Sequence, residues 1–228
     1  DSISAVMESW RELSEHHRKF DKDYLKSEEA LQQAKKYSEE LGPGTKETTQ
    51  LTLLRDIAEG RLQSNDLQGT QDIIDEASNI KVRYPSRRAE FMIIQINLYV
   101  AQEEFTKARQ LLTKTLEALQ ECDEIHDATT YDLKNAETGA TLAERFSINQ
   151  SGKIVKTLKD KLKSGIKDKV GALELNDDLL ELFIKEQDRH AEETASLSRL
   201  LLSKISPNSP GFKDVKDRTN KLLSELGD

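Results

Sequence analysis

Leu67-Gln68-Gly69-Thr70-Gln71-Asp72-Ile73-Ile74-Asp75-Glu76-Ala77 is echoed 38 residues later by Phe105-Thr106-Lys107-Ala108-Arg109-Gln110-Leu111-Leu112-Thr113-Lys114-Thr115. Each stretch has a bulky apolar residue, a small one three places on, an apolar pair, then another small residue. Side chains three and four apart share one face of a helix, so the pattern reads as an amphipathic helix. A further amphipathic segment precedes each stretch, Leu51 to Leu62 and Phe91 to Val100, which makes the repeating unit a pair of helices. The turns between them, Ser64-Asn65-Asp66 and Gln102-Glu103-Glu104, are short and force each pair to run antiparallel. Thr70 and Ala108, small residues early in the second helices, would let paired helices approach closely. Self-similarity at roughly 20 to 50 residues marks stacked architectures in which no single unit buries its own apolar face.

The helical pattern extends both ways. Ile3, Val6, Trp10, Leu13, His17, Phe20, Tyr24, Leu31, Ala34 and Leu41 follow a 3-4 spacing that predicts one long amphipathic helix over residues 1–44. The polar run Asp21-Lys22-Asp23 also permits a break between Phe20 and Leu25, giving a helical hairpin; the continuous helix is the preferred reading. Gly42-Pro43-Gly44 stops it. Residues 45–125 form the two repeats, and Pro85 biases Tyr84 away from the α region between them. Residues 126–228 are looser: helices over Thr129 to Phe146, Lys153 to Val170, and Asn176 to Ile205 as one long or two shorter helices. Within Asp178 to Ile205, Ala191, Thr194, Leu197 and Leu201 suggest a third, degenerate unit. After Pro207-Asn208-Ser209-Pro210-Gly211, a last helix from Phe212 to Leu226 would cap the array, carrying Val215, Leu222, Leu223 and Leu226 on one side. The expected fold is all-α: antiparallel helical hairpins stacked as a short α-solenoid, with a long N-terminal helix and a C-terminal capping helix.

Composition supports helix and narrows function. Only 10 Gly and 4 Pro occur in 228 residues, too few for the many turns of a β sandwich. The net charge of −8 argues against general nucleic-acid affinity, which needs concentrated Lys and Arg. No run of about 18 apolar residues could span a bilayer. One cysteine, Cys122, excludes an internal disulfide framework and fits a cytoplasmic or other reducing compartment. The chain opens on Asp1-Ser2-Ile3 without an initiator Met, which reads as a processed product or a segment of a longer protein.

Catalytic chemistry is sparsely signalled. No Gly-rich phosphate loop and no zinc-spaced Cys or His pair occurs, so no cofactor or metal is expected. Cys122-Asp123-Glu124-Ile125-His126-Asp127 is the densest polar cluster, but a short continuous stretch rarely wraps one ion, and it reads as a solvated loop between repeats. Glu15-His16-His17 lacks a helix-spaced second histidine, and His17 falls on the apolar seam as a packed residue. Between Gly152 and Lys169 seven lysines face two aspartates, with Ile154, Val155, Leu158, Leu162 and Ile166 at helical spacing. The first reading is a core-facing helix with a solvated lysine face. The functional alternative is a patch of Lys153, Lys156, Lys159, Lys163 and Lys167 for an anionic partner or membrane.

From Ala89 to Leu119 the chain resembles the tetratricopeptide repeat family: Met92, Tyr99, Phe105, Ala108, Leu112 and Thr115 stand at its bulky and small positions. Ile96 and Thr115 depart from that pattern, as do Gly60 and Thr70 in the earlier unit, and the 38-residue period exceeds the family's usual one. The resemblance covers about 70 residues and implies a concave surface of first helices that holds a peptide or partner helix. Here that surface would include Leu54, Arg55, Ala58, Arg61, Glu90, Ile93, Ile94 and Asn97, with Leu62 and Val100. Ile93 and Ala58 stand where a chaperone-tail clamp would need Lys and Asn, which disfavours that guest. The expectation is a non-catalytic protein–protein interaction or scaffold module, part of a larger chain or assembly. Alternatives are a self-assembling coiled-coil subunit that homo-oligomerises through the Ile3 to Leu41 seam, and an acidic all-helical phosphopeptide adaptor.

Overall fold

A computed structural model of the chain describes residues 2–81, 85–126, 151–185 and 188–227, with the side chains of 85–87, 89–90 and 119–126 left undescribed. The described residues are helical throughout their ordered elements, without a strand: α1 (Ile3–His16), a π segment (His17–Asp21), α2 (Tyr24–Ser38), α3 (Thr45–Gln63), α4 (Leu67–Ser78), α5 (Pro85–Ala101), α6 (Phe105–His126), α7 (Gly152–Ser164), α8 (Lys169–Lys185), α9 (His190–Lys204) and α10 (Phe212–Gly227). The chain divides into two compact units, Asp1–Leu98 and Tyr99–Asp228.

In the first unit the long N-terminal helix is replaced by the hairpin. Residues His17–Asp21 take π geometry, and the N–H of Asp23 returns to the His17 carbonyl at 3.0 Å. Lys22 then enters the left-handed region at φ 55°, which reverses the chain. α2 folds back on α1, and the Ser14 and Ser27 hydroxyls meet at 2.8 Å across the interface. The expected seam is correspondingly displaced. Met7 and Ser14 are buried on α1, whereas Leu13 is exposed.

α2 to α5 close a common core. Leu31 and Ala34 of α2, Leu51, Leu54, Ile57 and Ala58 of α3, Ile73, Ile74 and Ala77 of α4, and Phe91, Ile94 and Leu98 of α5 form one buried cluster. Each buried Leu or Ile contributes about 1.5–3 kcal/mol by leaving water. Arg88 helps to seat α5: its guanidinium donates to the carbonyls of Ala77, in the last turn of α4, and Ile80 just beyond it.

The 38-residue echo is also an echo in the backbone. Asn65 and Glu103, 38 residues apart, are both left-handed, at φ 62° and 60°. In each case the next residue's N–H reaches back five positions, Asp66 to Arg61 O at 2.9 Å and Glu104 to Tyr99 O at 2.8 Å, while Asn65 and Glu103 donate to Leu62 O and Val100 O. These are paired Schellman closures, each followed at once by a new helix. The small positions Thr70, Ala77, Ala108 and Thr115 are all buried.

In the second unit α8 is the central element. It packs against α6, α7, α9 and α10, burying Ala172, Leu173, Leu175, Leu179, Leu180 and Phe183. The residues of the suggested third unit, Ala191, Thr194, Leu197 and Leu201, are buried on α9. Asn176 to Ile205 is therefore two helices, and the first begins earlier than expected, at Lys169. The lysine-rich helix ends earlier too, because Gly165 at φ 106° leaves the helical region. α10 lies on α8 and α9 through Val215, Thr219 and Leu222. The helix expected over Thr129 to Phe146 lies outside the described residues.

Candidate functional site

Most of the expected concave surface is interior. Leu54, Ala58, Ile93, Ile94 and Asn97 are buried, as is Val100, and Leu54, Ala58 and Ile94 belong to the apolar cluster that holds the first unit together. The side chain of Glu90 lies outside the described residues. Arg55 and Arg61 are partly exposed but already engaged. Arg55 donates to Asp56 Oδ1 from Nε at 3.1 Å and Nη2 at 2.8 Å. Arg61 grips Glu28 through Nε at 2.9 Å and Nη2 at 2.6 Å, and donates to Gly69 O at 3.0 Å. A bidentate pair of that kind raises the arginine's pKa and ties α2 to α3, leaving little free capacity for a partner's carboxylate. A first-helix stripe that is apolar by periodicity serves a core as readily as a ligand, and here the neighbouring helices cover it.

The two most exposed large apolar side chains among the described residues are instead at the α1–α2 corner. Phe20 is 74% exposed and Leu25 78% exposed. The extra residue per turn of the π segment rotates Phe20 off the seam, where it stacks on His16 with ring centroids 5.1 Å apart. His17 stays partly covered and hydrogen-bonds Asp21 at 2.7 Å. Beside Leu25 a cleft of about 160 Å³ opens between α2 and α3, lined among others by Tyr24, Leu31, Ile57, Gly60 and Arg61. Gly60 leaves room: a Cβ there would meet nothing within 4 Å. Of the three carboxylates along the cleft, Glu28 pairs with Arg61, Asp56 with Arg11 and Arg55, and Asp66 caps α4 by accepting from the Gly69 N–H at 2.9 Å. Asp21-Lys22-Asp23 was the sequence signal for this corner, since a polar triplet inside an amphipathic stretch marks a potential reversal.

The second unit contains a buried polar junction that periodicity did not single out. Asp177 of α8 is fully buried and accepts hydrogen bonds from Ser198 Oγ of α9 at 3.1 Å and Thr219 Oγ1 of α10 at 2.6 Å. Asn176 donates from Nδ2 to Thr194 O at 2.9 Å and Ser198 Oγ at 2.8 Å. Around this, Arg218 bridges Asp178 and Glu181, and Arg109 of α6 bridges Asp178 and Glu174. Burial pushes the Asp177 carboxyl up to about 6, against the opposing pull of the Thr219 and Ser198 hydroxyls and the Arg218 charge. Asn176-Asp177-Asp178, interrupting an otherwise apolar run, was the available clue.

His190 is engaged within its own unit. His190 Nδ1 pairs with Asp188 at 2.5 Å, and its ring lies against Phe183 with centroids 5.5 Å apart. The Cys122–His126 stretch continues α6 as helical backbone, so the loop expected there is not a loop. Asp127 lies outside the described residues. No group of three or more potential metal-ligating side chains occurs among the described residues, and no described helix is long and apolar enough to cross a membrane.

On α7, Ile154, Val155 and Leu158 are buried, which places its apolar stripe in the core of the second unit. Lys153, Lys156 and Lys163 are exposed, and Lys167 follows in the exposed connection to α8. Lys159 pairs with Glu193, and Lys161 with Glu103 at 3.4 Å. Burial opposes ionisation of Glu103, but the N–H groups of Lys167 and Asp168 and the Lys161 charge outweigh it and hold its carboxyl below the usual range. Comparison with known proteins yields no matching family model, no matching characterised protein and no matching solved structure.

Proposed function

We propose that this chain is a non-catalytic protein–protein interaction module in which paired helices form a scaffold and the α1–α2 corner meets the partner. The observation that carries the reading is the exposure of Phe20 and Leu25 beside a cleft that reaches Leu31 and Ile57 and in which Glu28 and Asp56 are already paired with arginines. Two bulky apolar side chains in water give a partner a large return on burial, about 1.5–3 kcal/mol each. The cleft over Leu31 and Ile57 suits one apolar side chain of a partner helix or peptide. Because α1 folds back on α2, Leu31 and Ala34 of the Ile3 to Leu41 stretch are buried within the chain while Leu13 and Phe20 face solvent, and the break of the continuous seam at the reversal disfavours the coiled-coil alternative.

Photo-crosslinking tests this. A photoreactive residue placed at position 20 or 25 should give one and the same crosslinked protein, absent when the probe sits at position 36 on the exposed side of α2; with the probe at position 20 it should be lost in Leu25→Ser. Crosslinks only to a second copy of the chain would replace the reading with self-assembly. Equal labelling from all three positions would refute the corner.

A further inference from the structure

α10 is held on α8 and α9 by three buried side chains, Val215, Thr219 and Leu222, and by Arg218, which clamps Asp178 and Glu181 at 2.8 Å each. Of the buried three, Thr219 alone is polar, and it meets Asp177. The oxygen atoms there run in series: Ser198 Oγ to Asp177 Oδ1 at 3.1 Å, Asp177 Oδ2 to Thr219 Oγ1 at 2.6 Å, and Thr219 Oγ1 to the Val215 carbonyl at 2.8 Å. Each hydroxyl owns one proton. Ser198 Oγ also receives a hydrogen bond from Asn176 Nδ2, which leaves its own proton for Asp177. With an ionised carboxylate the series has two protons for three contacts, so Thr219 must give up either Asp177 or Val215. A neutral carboxyl completes it: the Asp177 O–H donates to Thr219, and Thr219 donates onward to Val215. The contacts between α8 and α10 are therefore all satisfied only when Asp177 keeps its proton.

The surrounding charges do little to replace that proton. Arg218 of α10 attracts the carboxylate but is spent on Asp178 and Glu181, and Asp178 on the same helix repels it. α9 offers the uncharged Ser198. Arg109 of α6 is held by Asp178 and Glu174, and Lys159 and Lys161 of α7 are held by Glu193 and Glu103. A carboxylate enclosed in this way carries a desolvation cost that opening removes.

We propose that the proton on Asp177 latches α10: with the carboxyl neutral the helix stays on α8 and α9, and with it ionised the helix lifts off and leaves Asp177 in water. The connection at 205–211, with Pro207, Pro210 and a left-handed Gly211 at φ 76°, is not helical, so α10 can swing as one piece. Docked, the carboxyl is raised from 3.8 to about 6; released, it returns toward 3.8. Docking is therefore tightest below about pH 4, weakens as the pH rises to about 6, and changes little above that. Acid closes the latch and neutral pH loosens it. The device lies in the second unit and stands independently of the function proposed for the α1–α2 corner.

The test is native-state hydrogen exchange of the full chain, without denaturant and corrected for the intrinsic pH dependence of amide exchange. Between about pH 4 and about pH 7 the opening of α10 peptides should increase by about ten- to a hundredfold, the upper figure corresponding to the carboxyl's full change from 3.8 to about 6. Peptides of α8 and α9 should change by less than about threefold. In Asp177→Asn, whose amide donates to Thr219 at every pH, the rise in α10 should also fall below about threefold. Asp178→Asn alters the neighbouring charge but leaves the proton in place, and should keep a rise of at least about tenfold. The wild-type profile by itself decides where opening occurs, and the variants decide which group drives it. A smaller rise in wild-type α10, equal rises in α8, α9 and α10, or a rise that survives Asp177→Asn would each overturn the proposal.

Discussion

Replacing Asp177 with asparagine should abolish a component of stability that falls as pH rises. Asp177 is fully buried at the meeting of α8, α9 and α10, and its carboxyl is raised from 3.8 to about 6. Between those values the unfolded chain has released its proton while the folded chain still holds it, so stability declines with rising pH. The difference of roughly two units, at about 1.36 kcal/mol per unit, makes the ionised group cost about 3 kcal/mol once the pH exceeds 6. An asparagine side chain in its place would be neutral throughout, and its amide can use the same two hydroxyls. Arg218 also faces the site and stays cationic across this range, and the two proteins share every other ionisable group, so the contrast isolates Asp177. The measurement is hydrogen exchange of α8–α10 peptides through a urea titration at about pH 4 and about pH 7. Relative to wild type, Asp177→Asn should gain about 3 kcal/mol between the two conditions. Trp10, the only tryptophan, lies in the first unit and supplies an internal control whose unfolding should not move. A difference that is flat, or that has the opposite slope, would refute the reasoning.

Other substitutions probe the local arguments. Gly152→Ala places a Cβ 2.8 Å from His190 Nε2, and that ring is held by Asp188 and Phe183; thermal unfolding should show a loss of about 1–3 kcal/mol. Lys22→Gly removes a left-handed non-glycine residue at the hairpin reversal, and should stabilise the first unit by up to about 1 kcal/mol in urea, followed by Trp10 fluorescence. Phe20→Ser should shift the same transition by less than about 0.5 kcal/mol, since the ring is already in water. Leu54→Ala, fully buried in the same unit, should cost about 2–5 kcal/mol. Comparable effects at positions 20 and 54 would show that the corner belongs to the core.

How far the candidate site was legible depended on the kind of signal each residue carried. Arg55 and Arg61 stood out as surface cations, yet whether a guanidinium is free depends on Asp56 and Glu28, and Glu28 is 33 positions from Arg61 in the chain. Phe20 has the 3-4 spacing of a core residue, and only the π segment removes it from that register. Asp177 looks like one more charge in an acidic protein until Ser198 and Thr219, 21 and 42 residues on, enclose it. The lysine face of α7 was readable, because its apolar and charged positions separate cleanly at helical spacing.

The sequence by itself determined that the described residues are helical, where the turns at Ser64–Asp66 and Gln102–Glu104 fall, and that these two turns share one plan. These are local matters: side-chain periodicity, turn residues and the left-handed closures at Asn65 and Glu103 act over five or fewer residues. Only the tertiary structure decided which apolar stripes become interior and which charges are spent on one another. An amphipathic face records that a residue must leave water, but not what will cover it. At Leu54 and Ile94 the neighbouring helices of the first unit do so, and at Phe20 and Leu25 the chain itself leaves the apolar surface in solvent.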